Sequence, residues 1–330
     1  MSVIASSPPA LASAVAEVER GLAALDLPTT PEELYAPVRH ALDGRGKRVR
    51  PAMLLLTAEA FGGDDARRRA LHAALSVEVF HTFTLVHDDI MDAAPTRRGR
   101  PTVHVQWDEA TAILAGDLLF SLSADLLRQT ESDRVIDALG AYHATVAKLC
   151  EGQALDLAFE TRRDVSPEAY LGMIDGKTGA LLELALDLGA LIGGASGDER
   201  RALRESGHAL GRAFQIQDDL LDVTASGDGW GKAVGGDLTA GKRTWLLLRA
   251  IEVAETVDDR AFFDSALDGL APGQVDDARN RMRRLGVLDE AAAAAADYAA
   301  RGSDGLGALP DGPASDALRA LALSLATRGK

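Results

Sequence analysis

The chain has 330 residues, and 50 acidic against 35 basic residues give a net charge of −15, which argues against generic binding to nucleic acid, whose phosphates are held by basic surfaces. Hydrophobic residues make up 47% and aromatic ones 5%, with Ala and Leu abundant, so closely packed helices are favoured over a sandwich of β-branched strands and an all-α fold is expected. No Pro/Ser/Gly-rich linker divides the middle, and one domain over residues 1–330 follows.

In chain order, Ser7-Pro8-Pro9 introduces a periodic segment from Ala10 to Leu25, within an arm spanning 1–28 that Leu27-Pro28 closes. Met1 to Ala10 lacks the basic start and apolar core of a secretory signal, and no apolar run is read as long enough to span a bilayer; the most apolar stretch, Ala180 to Ala195, is broken by Glu183 and Asp187. Thr30-Pro31-Glu32-Glu33 reads as an N-cap, a proline at the first helical position and a capping-box Glu, opening a helix to Leu42. Further helices are expected over residues 51–61, 66–91, 110–129, 132–162, 167–192 and 198–221, the fifth opened by Val165-Ser166-Pro167. Gly227 to Gly236 reads as a loop suited to a lid. Helices over 244–255, 259–267, 272–285, 288–300 and 315–327 complete the bundle, with 302–313 a surface loop. Cys150 has no internal partner and reads as a small buried residue, compatible with a reducing cytoplasm.

Two pentapeptides carry the chemistry, Asp88-Asp89-Ile90-Met91-Asp92 and Asp218-Asp219-Leu220-Leu221-Asp222, each after an apolar run near the end of an expected helix. On a helix, positions i and i+4 share one face, so Asp88 and Asp92 project together, as do Asp218 and Asp222. Like charges one turn apart repel, so something cationic must offset the clustering. Hard oxygen ligands in this small number suit Mg²⁺ holding a phosphate-bearing substrate. Gly44-Arg45-Gly46-Lys47-Arg48-Val49-Arg50-Pro51 places four cations in six residues just before a helix, beside glycines that permit close backbone approach, and reads as an anion site; for Arg45 or Arg48 a surface-charge reading stays open. Arg97-Arg98-Gly99 follows the first motif, Lys177-Thr178-Gly179 sits on an apolar helix, and Lys232 and Lys242 bracket the glycine-rich loop.

In this order the residues resemble the trans-isoprenyl diphosphate synthases, or polyprenyl synthetases. The resemblance runs from Gly46-Lys47-Arg48-Val49-Arg50-Pro51 through His81, Arg97-Arg98-Gly99-Arg100-Pro101, Gly116-Asp117, Gly152-Gln153 with Asp156-Leu157, Lys177-Thr178 and Phe214-Gln215 to Gly241-Lys242-Arg243-Thr244. It implies a homodimer of mostly antiparallel helices around a deep central cavity, the isoprenoid synthase fold, with the aspartate motifs opposed across its mouth. It further implies about three Mg²⁺ ions against an allylic diphosphate. Asp88, Asp92 and Asp218 are then the direct ligands, with Asp89, Asp219 and Asp222 ligating or orienting metal-bound water. Arg97, Lys177, Lys232 and Lys242 would bind the allylic diphosphate; Lys47, Arg50, His81 and Arg98 would bind isopentenyl diphosphate. Thr178 and Gln215 would turn oxygen dipoles to the developing carbocation, and the released diphosphate would take the final proton. The resemblance gives no ligand role to the other histidines: His40, His72, His104, His143 and His208 are expected to be hydrogen-bonded core residues, and His87, directly before the carboxylates, to orient them.

Phe83, five residues before Asp88, sits about 7.5 Å down the helix axis, from the rise per residue, and is placed to form a cavity floor with small Thr84 beside it. Within the family this pattern resembles synthases of the C20 product, geranylgeranyl diphosphate; C15 and longer products are the alternatives. Gly179, where the family more often has Ala or Ser, suggests a kink. A class I terpene cyclase would normally replace the second aspartate motif, a non-catalytic subunit would be expected to lose one, and a di-iron bundle would want Glu-x-x-His pairs.

Overall fold

The computed structural model describes residues 8–44, 46–225 and 234–326. Helices account for most of it: α1 (Pro9–Ala23), α2 (Glu32–Leu42), α3 (Val49–Arg69), α4 (Leu71–Met91), α5 (Val103–Gln106), α6 (Glu109–Arg128), α7 (Val135–Phe159), α8 (Pro167–Ile174), α9 (Ala180–Gly193), α10 (Gly197–Thr224), α11 (Gly236–Thr239), α12 (Trp245–Val253), α13 (Val257–Ala266), α14 (Val275–Arg284), α15 (Val287–Gly305) and α16 (Pro313–Ala326). Among the described residues the one β element is a hairpin of β1 (Thr96–Arg97) and β2 (Arg100–Pro101). The all-α expectation holds.

Contacts group the chain into two compact units. The first takes Met1–His143, Leu184–Leu203 and Ala308–Leu318; the second takes Ala144–Glu183, Arg204–Gly307 and Arg319–Lys330. In the first, α4 packs along α6 and α3, and α1 on α3, around fully buried Leu54, Phe80, Leu119, Tyr142 and Leu186. Gly189 lets α9 approach α3 closely, since a Cβ there would lie 2.4 Å from the Leu54 carbonyl oxygen. In the second, α12 packs on α8, α13 and α15 around Leu246, Leu247, Phe263 and Met282.

Local signals explain several starts. Ser166 accepts from the Ala169 N–H with Pro167 in the first turn of α8, Asp108 from Thr111 at α6, and Thr244 from Leu247 at α12. Other readings need correction. Pro31, not Thr30, is the N-cap of α2, and no side chain caps that end. The glycines at 62–63 do separate two helical stretches within α3, Gly63 being non-helical (φ 66°, ψ −164°), but residues 66–91 are not one helix, because Ala70 forms a junction between α3 and α4. Residues 302–305, expected in a surface loop, continue α15. By length and composition α6 is able to cross a bilayer, contrary to the expectation that no run would be; here it packs on α4 and α2. Cys150, expected buried, is exposed.

Candidate active site

In the first unit, α4 stops at Met91 and Asp92 is its C-cap, so Asp88, Asp89 and Asp92 crowd the carboxyl end of a helix with no basic residue in its last turn. That end carries partial negative charge, which adds to the mutual repulsion of the carboxylates. The three side chains are not equivalent. Asp89 is buried and its Oδ1 accepts from Arg97 Nε at 2.7 Å; burial pushes its carboxyl up and Arg97 opposes this. Asp88 is half-buried and Asp92 exposed.

The hairpin explains how Arg97 gets there. Arg98 (φ 53°) and Gly99 (φ 76°) both have positive φ, as a two-residue type I′ turn requires, and Arg98 takes a backbone conformation that non-glycine residues rarely adopt. A Cβ on Gly46 would lie 2.8 Å from Arg98 Nη1, so this glycine makes room for a guanidinium of the same anion site. Arg45 lies outside the described residues. Arg48 does not read as a surface charge: it is buried, with Nη1 2.5 Å from Glu78 Oε1 and Nη2 donating to the Gly44 carbonyl at 3.0 Å. Arg48, Arg97 and Arg98 line a cavity of about 60 Å³ with Glu78, Thr82 and Asp89.

Arg50 Nη1 lies 3.3 Å from His81 Nε2, and a guanidinium only donates, so Nε2 accepts and the ring proton sits on Nδ1. Burial first, then the guanidinium groups of Arg50, Arg98, Arg97 and Arg48, hold His81 well below its ordinary value of 6.5. An unfolded chain would take up this proton near pH 6.5 and the folded one does not. The stability from this group is therefore present above that pH and lost as pH falls toward the depressed folded value. In NMR of the metal-free protein the His81 ring signals should stay unmoved from about pH 8 to about pH 5.5; a titration step near the ordinary value would contradict this.

Phe83 lies in an aromatic cluster, its ring centroid 5.3 Å from Phe120, 5.7 Å from Phe80 and 4.8 Å from His87, with Tyr142 behind Phe80 at 5.1 Å. The Thr84 hydroxyl donates to the His81 carbonyl. His87 packs against Gly116, where a Cβ would be 2.2 Å from its Nε2, and His40 is held by Arg100 and the Pro101 carbonyl. His40 thus packs as expected, while His87 turns to the Ile113 carbonyl at 3.3 Å.

In the second unit, Asp218, Asp219 and Asp222 lie in the last turns of α10, again without a basic residue in the final turn. Asp219 is buried, and its Oδ2 accepts from the Tyr170 hydroxyl at 2.8 Å and the Trp245 N–H at 3.4 Å. Its Oδ1 accepts from Gln215 Nε2 at 3.0 Å. Burial pushes its carboxyl up to about 7 against the pull of the Gln215 and Tyr170 hydrogen bonds. Tyr170 is a residue that sequence reading missed; a lone Tyr on an apolar helix carries no signal of its partner. Asp222 Oδ2 accepts from the Asp237 N–H at 3.1 Å and so holds the start of α11.

Lys177 and Thr178 do not lie on a plain α-helix. Residues Asp175–Gly179 form a π-turn between α8 and α9. Lys177 Nζ is 2.5 Å from Asp156 Oδ2, and a Cβ on Gly152 would lie 2.4 Å from the Lys177 nitrogen, so α7 crosses the turn at a glycine. Thr178 Oγ1 donates to Gln215 Oε1 at 3.4 Å. The Gln215 amide is therefore engaged at both ends, and Thr178, having given its proton away, keeps oxygen lone pairs. Lys242 is exposed, and Lys232 lies outside the described residues, as does most of the expected lid.

Among the described residues no three His, Cys, Asp or Glu side chains cluster as a ready-made metal cage. The carboxylates of each triplet, taken by itself, would suit a hard divalent cation whose shell is completed by water and phosphate oxygens, the usual arrangement for Mg²⁺.

The polyprenyl synthetase family model matches residues 31–282. The chain belongs to this family. It is 42% identical over 296 residues to the geranylgeranyl diphosphate synthase of Methanosarcina mazei, covering 88% of this chain and 89% of that one. With the geranylfarnesyl diphosphate synthase of Natronomonas pharaonis it shares 39% identity over 316 residues, covering 90% and 91%. The crystal structure of geranylgeranyl pyrophosphate synthetase from Pyrococcus horikoshii is 36% identical with a TM-score of 0.89, covering 97% of this chain and 98% of that one. This polyprenyl synthetase thus keeps the family's isoprenoid synthase fold, and the sequence resemblance is borne out over nearly its whole length.

Proposed function

We propose that the chain is a Mg²⁺-dependent short-chain trans-prenyltransferase that joins isopentenyl diphosphate to an allylic diphosphate and releases mainly geranylgeranyl diphosphate. The observation that carries this is the pair of aspartate triplets, each at the negative end of a helix and without a basic residue in its last turn, on a chain otherwise rich in nearby guanidinium and ammonium groups. Asp88, Asp92, Asp218 and Asp222 would hold the ions, and Mg²⁺ when bound supplies the positive charge that a departing diphosphate needs. Asp89 and Asp219 orient: the first fixes Arg97, the second Gln215.

Arg97, Lys177, Lys232 and Lys242 bind the allylic diphosphate. Lys47, Arg50, neutral His81 and Arg98 bind the other. As the allylic C–O bond breaks, Thr178 turns oxygen lone pairs to the cation, in a direction set by its own bond to Gln215. The isopentenyl double bond then attacks, and the released diphosphate removes the proton. Exposed Ile113 (42%), Leu114 (60%) and Ile136 (75%) support a homodimer that covers them, and unpaired Cys150 supports a cytoplasmic setting.

Incubation with isopentenyl diphosphate, each of the C5, C10 and C15 allylic primers and Mg²⁺, followed by chromatography of the dephosphorylated products, tests the reading. C20 should dominate with every primer; no elongation would refute the function, and accumulation of C15 from the C5 primer would refute the product. Phe83→Ala should shift the main product to C25, because Phe120 and Phe80 remain behind the floor that is removed. Unchanged length would reject Phe83 as the floor.

A further inference from the structure

The π-turn that carries Lys177 and Thr178 is tied down by charged groups to which the reaction assigns no part. Asp175 opens the turn, and its two carboxylate oxygens accept from Arg212 Nε at 2.7 Å and Nη2 at 2.6 Å. Arg212 Nη1 donates to the Tyr298 hydroxyl at 3.1 Å, and its guanidinium carbon stands 5.3 Å from the centre of that ring. One turn earlier on α10, His208 lies 3.5 Å from Asp175 through Nε2 and 3.3 Å from Glu183 through Nδ1, while Lys148 reaches Glu183 from α7 at 2.9 Å.

Asp175 meets Arg212 and Thr178 meets Gln215, and beside these pairs Gly211 abuts Gly179 so closely that a Cβ would lie 2.6 Å from the Gly179 Cα. A π-turn is a rare local conformation and persists where its surroundings over-determine it. Relaxing it to plain α-helix would rotate the following side chains by up to about 100° around the axis, the angle per residue, and take Thr178 away from Gln215. The fork of Arg212 fits both oxygens of Asp175 in a plane, which a lysine cannot reproduce.

We infer that Arg212 is a positioning residue, which through its fork on Asp175 holds the π-turn so that Lys177 and Thr178 meet the allylic substrate. This rests on the roles proposed above for those two side chains.

The test uses full-length Arg212→Lys and Asp175→Asn, with the two substrates varied separately and hydrogen exchange measured on the unliganded protein. The expected result is a fall in kcat of about 10- to 100-fold with a raised KM for the allylic diphosphate and a KM for isopentenyl diphosphate within about twofold of wild type. Exchange should quicken at residues 176–180 and stay at wild-type rates in α12. Unchanged kcat, or exchange that rises equally in α12, would overturn the inference and leave the pair a plain stabilising contact. Should either variant fail to fold, Tyr298→Phe decides: faster exchange confined to the turn supports the inference, and unchanged exchange there refutes it. If the wild type elongates no primer, the prenyltransferase reading fails, while the exchange measurement still decides whether Arg212 holds the turn.

Discussion

Asp88→Asn should lower kcat by about 10³-fold or more, the scale of losing a major source of transition-state charge stabilisation. Asp88 shares the final turn of α4 with Asp89, close to Asp92 at the C-cap; the turn itself holds no basic residue, and Arg97 reaches Asp89 from the hairpin. On the proposed function, the Asp88 charge would hold a divalent ion against the leaving diphosphate. Asn keeps the size and the hydrogen-bonding oxygen, so the change isolates charge. Melting curves with and without Mg²⁺ should show the wild type gaining more from the metal than the variant does, in the presence of a diphosphate ligand. A variant that retains a tenth of wild-type kcat would remove Asp88 from the ligand set.

Arg48→Met should destabilise the fold by about 3–5 kcal/mol, the range for stranding one member of a buried ion pair. The side chains of Arg48 and Glu78 are 8% and 4% exposed, so Glu78 would be left charged and away from water. Arg48 also ties the loop before α3 through the Gly44 carbonyl, and that loop carries Lys47 and leads into Arg50. Urea denaturation measures the loss. The double variant Arg48→Met, Glu78→Leu should recover most of it, because the buried charge goes with its partner. A loss below about 1 kcal/mol for the single variant would mean that Glu78 takes up a proton or reaches water instead.

Much of the candidate site was legible from residue spacing, because the relevant geometry is local. Asp88 and Asp92 share a helix face by the pitch of the helix alone, and Ser166-Pro167 starts α8 because a side-chain oxygen and a fixed φ act within one turn. What escaped was the choice of distant partner. Arg45, Lys47, Arg48 and Arg50 look alike in the chain, yet Arg48 turns inward because Glu78 on α4 waits for it. Gln215 looked like a dipole aimed at substrate; Asp219 takes its amide nitrogen and Thr178 its oxygen. Cys150 looked like core and is exposed, since the periodicity of α7 does not say which of its faces a neighbour covers.

The amino-acid order was therefore enough for the helical class, the two acidic triplets and the family, since composition, pitch and capping act over a few residues and leave a readable pattern. Packing between elements decided the rest: which carboxylate of each triplet turns to the protein, that Tyr170 holds Asp219 and Arg212 holds Asp175, and that a π-turn carries Lys177 and Thr178. The last two depend on contacts across 37 to 86 residues, such as Asp175 with Arg212 and Arg212 with Tyr298, while Asp89 meets Arg97 eight residues on; those energies exist only once the elements have met.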